Sequence, residues 1–441
     1  MKMNIALSLL LLELSAFCTQ ANPIVVGYFP DWGASNSPSY TYKQVNWTQI
    51  THIAWSFMFP SASGTLDGLD SSNSAPMDSL IANAHSHSVK AILSLGGAGN
   101  CTGFAPMASS AATRALFIHR VKTFVLARKF DGVDIDWEYS ANPSASDTAA
   151  YTKLINELRD SLGTNLLLTA ALPCSDWWAK WFSINGFINS LDWAGIMTYD
   201  ITGDWDTQTE YNSPLYSNKL KATYSFSQGM QYWITTRGVP KAKLLGGVPT
   251  YGVYFTQSAG PGLAFSGSAY EISYQAFQDS LVAGKWTTHF DDTAMVPWAA
   301  SAGGAYLTYE NTSSIFDKAK WISDNGYPGV IVWELSEDYS PLGKNPLLDT
   351  LAKGLGLTKP SAVLPRSSHT KFAWTQTSNR IRVYGVEAES VALLDMQGRT
   401  LRAGSGQGTN WMIDLQGVPR GLAILRVHSE SGIQAQAVLL P

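Results

Sequence analysis

Eight short apolar runs punctuate most of the chain, each followed by polar or glycine-rich sequence. They are Ile24 to Phe29, His52 to Phe59, Ala91 to Leu95, Gly132 to Trp137, Leu166 to Leu172, Trp193 to Tyr199, Leu244 to Val248 and Val330 to Leu335. Between several of them the apolar spacing is helical: Phe117, Val121, Phe124 and Val125 precede the fourth run, and Tyr151, Leu154, Ile155, Leu158 and Leu162 follow it. A strand that is apolar along its whole length is buried on both faces, as in a parallel sheet covered by helices. Eight such runs in alternation with helices predict an α/β fold, a closed (β/α)8 TIM barrel, with a doubly wound open sheet as the alternative. Gly96-Gly97-Ala98-Gly99 follows the third run without a ribose-binding acid at the required distance, so no dinucleotide cofactor is expected.

The interval from Gly252 to Gly329 is too long for one loop and one helix. Tyr270-Glu271-Ile272, Trp286 to Phe290 and Met295 to Trp298 read as short strands, and Ser314 to Asn325 as the last barrel helix. A small α+β insertion domain over about 253–309 is expected, within a barrel spanning 22–357. Residues 358–370 read as a linker. Beyond it, Arg380 to Tyr384, Val391 to Leu394, Trp411 to Leu415, Leu422 to Val427 and Gln434 to Leu440 alternate with turn sequences, which predicts a small β-sandwich over 371–441.

The fourth run carries the candidate chemistry. Asp134, Asp136 and Glu138 stand at every second residue, and in an extended strand all three point to one side while Val133, Ile135 and Trp137 face the other. Like charges that close resist ionising together, so one carboxyl is expected to hold a proton near neutral pH and to serve as a donor. A solvated acidic edge or a calcium loop are the bland readings. A calcium loop requires Gly at its sixth position and Glu at its twelfth, and these positions hold Tyr139 and Ala145. In a barrel the strand ends form the working face, and other polar or aromatic residues fall at matching ends: Tyr28, Trp32, Phe57, Ser94, Met197, Tyr199, Asp200, Tyr251, Trp333 and Glu334.

Composition narrows the partner. The chain of 441 residues has a formal net charge of -4 and only 15% charged residues, which argues against nucleic acid. Its 16 Trp, 19 Tyr and 17 Phe exceed what a core usually needs and suit stacking on neutral sugar rings. His52, His289 and His428 lack metal-ligand spacing, so no metal is expected. Lys2, the apolar run Ile5 to Leu12 and Thr19-Gln20-Ala21 read as a secretory signal over 1–21, with no other stretch apolar enough to span a membrane. An exported chain makes Cys101 and Cys174 candidates for a disulfide.

These residues resemble glycoside hydrolase family 18, and its chitinases in particular. Asp131-Gly132-Val133-Asp134-Ile135-Asp136-Trp137-Glu138 matches the family's DGxDxDxE strand, Ser94-Leu95-Gly96-Gly97 its SxGG strand, and Met197-Thr198-Tyr199-Asp200 its sixth-strand motif. Trp205-Asp206, Asn212-Ser213-Pro214-Leu215, Val332-Trp333-Glu334-Leu335-Ser336 and, near the end of the insertion, Met295-Val296-Pro297-Trp298 and Tyr309-Glu310 continue the likeness. The resemblance implies a substrate-assisted retaining hydrolase of chitin or N-acetylglucosamine oligosaccharides. In that scheme Glu138 is the general acid and later the base. Asp136 holds the acetamido N–H, Asp134 shares its proton load, Tyr199 binds the acetamido carbonyl, Asp200 steadies the sugar and Trp333 forms the floor. Tyr28, Phe57, Met197, Trp205 and Tyr251 complete the expected substrate wall. No cofactor is implied, and a monomer is expected.

Two positions depart from the family pattern. Ala98 stands where many chitinases carry Trp, with Trp205 and Trp177 as candidates to compensate, and Val253 stands where many read Arg. The last sixty or so residues are similar to sorting domains of type IX secretion cargo, through Leu393 to Arg399 and Leu415 to Gly421, which implies a secreted or cell-surface protein. A chitin-binding module using Trp374 and Trp411 is the rival. For the whole chain, an endo-β-N-acetylglucosaminidase acting on N-glycans and an inactive chitin-binding lectin are the alternatives to a chitinase.

Overall fold

The fold is that of a computed structural model, which describes residues 22–69, 74–139, 143–220, 224–340, 342–357, 372–377, 379–385, 387–395, 399–429 and 432–440. The signal over 1–21 and the linker over 358–370 lie outside the described residues. The chain divides into two compact units, at Thr358 and Lys359.

In the first unit eight parallel strands close into a barrel: Ile24–Pro30, His52–Pro60, Lys90–Gly96, Gly132–Asp136, Leu167–Pro173, Trp193–Met197, Leu244–Pro249 and Gly329–Trp333. Closure is complete because the first strand pairs with both the eighth and the second. Each strand falls within two residues of an apolar run, and every one is buried along nearly its whole length. The two faces of the first strand show why. Val25 and Phe29 pack outward against the helices, whereas Val26 and Tyr28 point into the barrel with Ala54, Phe57, Ile92, Trp193, Leu245 and Ile331.

Helices cover the outside. Ala145–Leu162 begins with a capping box, in which Ser144 and Asp147 each satisfy the other's backbone N–H, and it buries Tyr151, Leu154, Ile155, Leu158 and Leu162 on one stripe. Thr312–Asp324 starts on the same device, built from Asn311 and Ser314. No helix among the described residues is long and apolar enough to cross a membrane.

Between the seventh and eighth strands the chain forms a five-stranded antiparallel sheet. Its spatial order is Ala269–Ser273, Tyr251–Phe255, Tyr306–Thr308, Val296–Ser301 and Trp286–Asp291, with the helix Tyr274–Val282 inside the same interval. Only Thr250 separates the end of the seventh barrel strand at Pro249 from the start of the sheet, so its first residue, Tyr251, is placed directly at the barrel rim.

The second unit contains two four-stranded antiparallel sheets, one of Ala373–Gln376, Arg380–Tyr384, Asn410–Asp414 and Ser405–Gln407, the other of Thr400–Ala403, Ser390–Leu394, Gly421–Ser429 and Gly432–Leu440. Alternate residues from both sheets, such as Ile381, Val383, Val391, Leu393, Leu425 and Val427, share one core. Trp374 and Trp411 stand opposite Val383 on neighbouring strands and pack partly buried on that core.

Candidate active site

Register explains the first layer of the site. In the barrel Asp134 lies beside Ser94 on one side and Thr169 on the other, so all three side chains share the interior face. Ser94 Oγ and Tyr28 OH donate to Asp134 Oδ2 at 2.8 and 2.9 Å, and Thr169 Oγ1 donates to Oδ1 at 2.6 Å. Burial pushes the Asp134 carboxyl up, and these three donors act against that push by stabilising its anion. Asp134 is therefore anchored by three hydrogen bonds, with its carboxyl still held above the ordinary value by burial. Gly96 is required beside Asp136: at φ 120° its α-carbon comes so close that an added Cβ would meet the Asp136 carbonyl at 2.1 Å.

Asp136 is buried at 4% exposure, and its Oδ1 has no hydrogen-bond partner. Burial, then the charges of Glu138 and Asp134, hold its pKa well above the carboxylate range. Glu138 lies past the last strand residue, so the three acids do not all sit on one extended strand as the alternation predicts. The ladder ends at Asp136, and beyond it the Glu138 backbone N–H turns to the thiol of Cys101 at 3.2 Å. Burial, then Asp200 and Glu271, raise the Glu138 carboxyl to about 7. A protonated donor near neutral pH is present, and it is set by enclosure and by acids outside its own strand.

The loop after the sixth strand supplies the opposite wall. Tyr251 OH donates to Asp200 Oδ1, and the Asp200 backbone N–H donates to Asn212 Oδ1 at 3.0 Å. Burial raises the Asp200 carboxyl to about 6 against the lowering effect of Tyr251. A buried ion pair stiffens this wall: Lys318 Nζ donates to Glu310 and, at 2.8 Å, to Ser213 Oγ, which in turn donates to the Thr198 carbonyl at 2.6 Å. The segments Asn212 to Leu215 and Tyr309-Glu310 are thus tied together through Lys318 on the helix Thr312–Asp324, which precedes the eighth strand.

A cavity of about 750 Å³ opens at these strand ends, and its walls include Ala98, Glu138, Met197, Tyr199, Asp200 and Trp205. Tyr28, Phe57 and Trp333 form a separate, mostly enclosed aromatic group. The rings of Phe57 and Trp333 stack with centroids 5.5 Å apart, and Tyr28 meets Trp333 edge-on at 5.6 Å. Tyr251 is fully buried and meets the site through Asp200 and the edge-on ring of Tyr199, 6.2 Å away. Val253 is also buried, so its position offers no cation to this cavity.

Glu271, Thr169 and Cys101 are among the contributors that the sequence pattern does not mark. Glu271 enters the cavity wall from the insertion sheet, and the signal for it was an acid inside the strand-like Tyr270-Glu271-Ile272. Thr169 was a polar residue in an otherwise apolar barrel strand. Cys101 was read only as a disulfide candidate. Cys101 and Cys174 are both thiols, and no disulfide joins them. The Cys101 side chain is committed elsewhere, with Sγ 3.3 Å from the Asp136 carbonyl and 3.4 Å from that of Gly97.

Residues 24–338 match the family described as glycosyl hydrolases family 18. A probable endochitinase of Caenorhabditis elegans is 30% identical over 374 residues, covering 75% of this chain and 60% of that protein. Chitinase A1 of Niallia circulans is 25% identical over 454 residues, covering 82% of this chain and 64% of that protein. The chain thus spans less than two thirds of the length of these two relatives. Among solved structures, an immunomodulatory active chitinase from Trichuris suis aligns with a TM-score of 0.70 at 27% identity, covering 76% of this chain and 100% of that one. Barrel, carboxylate strand and family match agree over the same residues, and the chain belongs to glycosyl hydrolases family 18.

Proposed function

We propose that this protein is a chitinase, a glycoside hydrolase that cleaves β-1,4 bonds between N-acetylglucosamine units. The observation that carries the reading is the pairing of Glu138, held near pKa 7, with Asp136, whose buried Oδ1 has no partner. A buried acceptor without a donor is costly, and the N–H of a substrate acetamido group is the donor it fits. Glu138 then protonates the glycosidic oxygen while the acetamido carbonyl oxygen attacks the anomeric carbon. The bond to the leaving sugar breaks, an oxazolinium ion forms, and Tyr199 steadies the acetamido carbonyl. Glu138, now a carboxylate, takes a proton from water as that water opens the ion, and the configuration is retained. Asp134 orients Asp136, Asp200 steadies the sugar, and Trp333 with Phe57 and Tyr28 forms the floor under it.

The insertion sheet favours a chitinase over an endo-β-N-acetylglucosaminidase, because Glu271 makes it part of the cavity wall. An intact Glu138 with a raised pKa disfavours an inactive lectin. The protein is incubated with chitin oligosaccharides and, separately, with a high-mannose glycoprotein, and the products are weighed by mass spectrometry. Shortened oligosaccharides support the reading, and cleavage of the glycoprotein alone overturns it.

Export through the segment 1–21, with sorting by the C-terminal unit, completes the proposal. The inward packing of Trp374 and Trp411 supports a sorting role over chitin binding. Deleting 371–441 then leaves oligosaccharide hydrolysis in place and changes where the protein accumulates.

A further inference from the structure

Two aromatic groups stand at the C-terminal ends of the barrel strands. Trp333, Phe57, Tyr28 and Trp32 gather at the ends of the eighth, second and first strands. Trp177 and Trp178 follow the fifth strand, Trp205 follows the sixth, and all three line the cavity that also contains Glu138 and Ala98. A general acid stands between the sugar being cleaved and the sugar being released. With the first seated on Trp333, the released chain runs into the cavity walled by Ala98 and the second group.

Trp177 is the unexplained member of that group. It is 63% exposed, so the fold gains little from burying it. The short helix that carries it, Asp176–Ala179, is nevertheless tightly held. Tyr224 OH donates to Asp176 at 3.0 Å, the Arg237 guanidinium donates to the carbonyls of Ala179 and Phe182, and Ala179 is fully buried. Lys180 Nζ sits 4.0 Å from the centre of the Trp177 ring, in cation–π range over it. A rigidly mounted indole, half uncovered on the wall of a cleft, is built to stack on a flat apolar face.

We propose that Trp177 is a stacking platform for an N-acetylglucosamine ring of the leaving chain, filling the role for which Ala98 has no ring. This rests on the reading of Glu138 as the acid and of Trp333 as the floor of the sugar being cleaved. It makes Trp177 a determinant of preference for long substrates, since only a chain with sugars on the released side reaches it.

The test compares wild type, Trp177→Ala and Trp177→Phe on chitohexaose and on a methylumbelliferyl chitobioside, whose leaving group carries no sugar. By analogy with base stacking on aromatics, Trp177→Ala raises KM for chitohexaose by at least about fivefold. The rise exceeds that for the chitobioside, and Trp177→Phe recovers most of the loss. Equal effects on both substrates, or none on chitohexaose, overturn the platform. Calorimetric binding of chitohexaose to Glu138→Gln, with and without Trp177→Ala, separates this inference from the catalytic one. Weaker binding in the double variant supports the platform even where the wild type cleaves nothing, and equal binding overturns it even where the wild type is active.

Discussion

The thiol of Cys101 accepts the backbone N–H of Glu138 at 3.2 Å, and the same sulfur lies 3.3 Å from the carbonyl oxygen of Asp136. One side chain thus spans the two residues on which the proposed chemistry depends, at the point where the barrel ladder has run out. Burial, then the charge of Asp136, keeps this thiol protonated, so it can donate to a carbonyl while accepting from Glu138. Replacing Cys101 with Ala removes the acceptor and lets the carboxyl drift. The expected loss in kcat is between about twofold and tenfold, the worth of one ordinary hydrogen bond. Cys101→Ser supplies the same donor and acceptor and retains most of the activity. Steady-state kinetics of the two variants, with thermal melts to confirm folding, check this. Equal rates for Ala and Ser contradict it.

The pH profile follows from the neighbours of Glu138. Its carboxyl must be protonated to donate, so activity falls as pH rises through about 7. Asp200 is the first charge that raises it and Glu271 the second. Removing a nearby anion lowers the pKa of an acid, so Asp200→Asn moves the basic limb of kcat/KM to lower pH. Glu271→Gln moves it the same way by less, because the charge of Glu271 raises the Glu138 carboxyl less than that of Asp200 does. Profiles normalised to their own maxima read the shift apart from any loss of rate.

Stability carries the opposite pH dependence from that of a protein held by ion pairs. Glu334 and Asp338 are buried at 3% and 1% exposure and raised to about 7 and about 8, chiefly by desolvation. Between the carboxylate range of the unfolded chain and these raised values the folded state binds more protons than the unfolded one, so stability falls as pH rises. The melting temperature is expected to be higher at pH 5 than at pH 8 at fixed ionic strength. A calorimetric scan at each pH checks the sign.

The barrel was legible because its strands are buried on both faces, so each reads as a short, near-continuous apolar run, and eight of them alternate with helical spacing. Val133 and Ile135 mark their strand as clearly as Asp134 and Asp136 mark its chemistry. Glu138 was legible as a residue but not in its placement, because strict alternation assumes a ladder that in fact ends at Asp136. Glu271 was hidden for a different reason. It reaches the cavity from a sheet built far along the chain, and only the antiparallel pairing of Ala269–Ser273 with Tyr251–Phe255 brings it beside Asp200. The contacts of Cys101 depend on how the loop after Gly96-Gly97 turns back toward Asp136, which spacing does not encode.

The account stands on Glu138 as the proton donor. Turnover of chitohexaose by Glu138→Gln, measured beside calorimetric binding of the same sugar, tests it most directly. Loss of at least about two orders of magnitude in kcat with binding retained is the expected result. A variant that turns over at the wild-type rate contradicts the account.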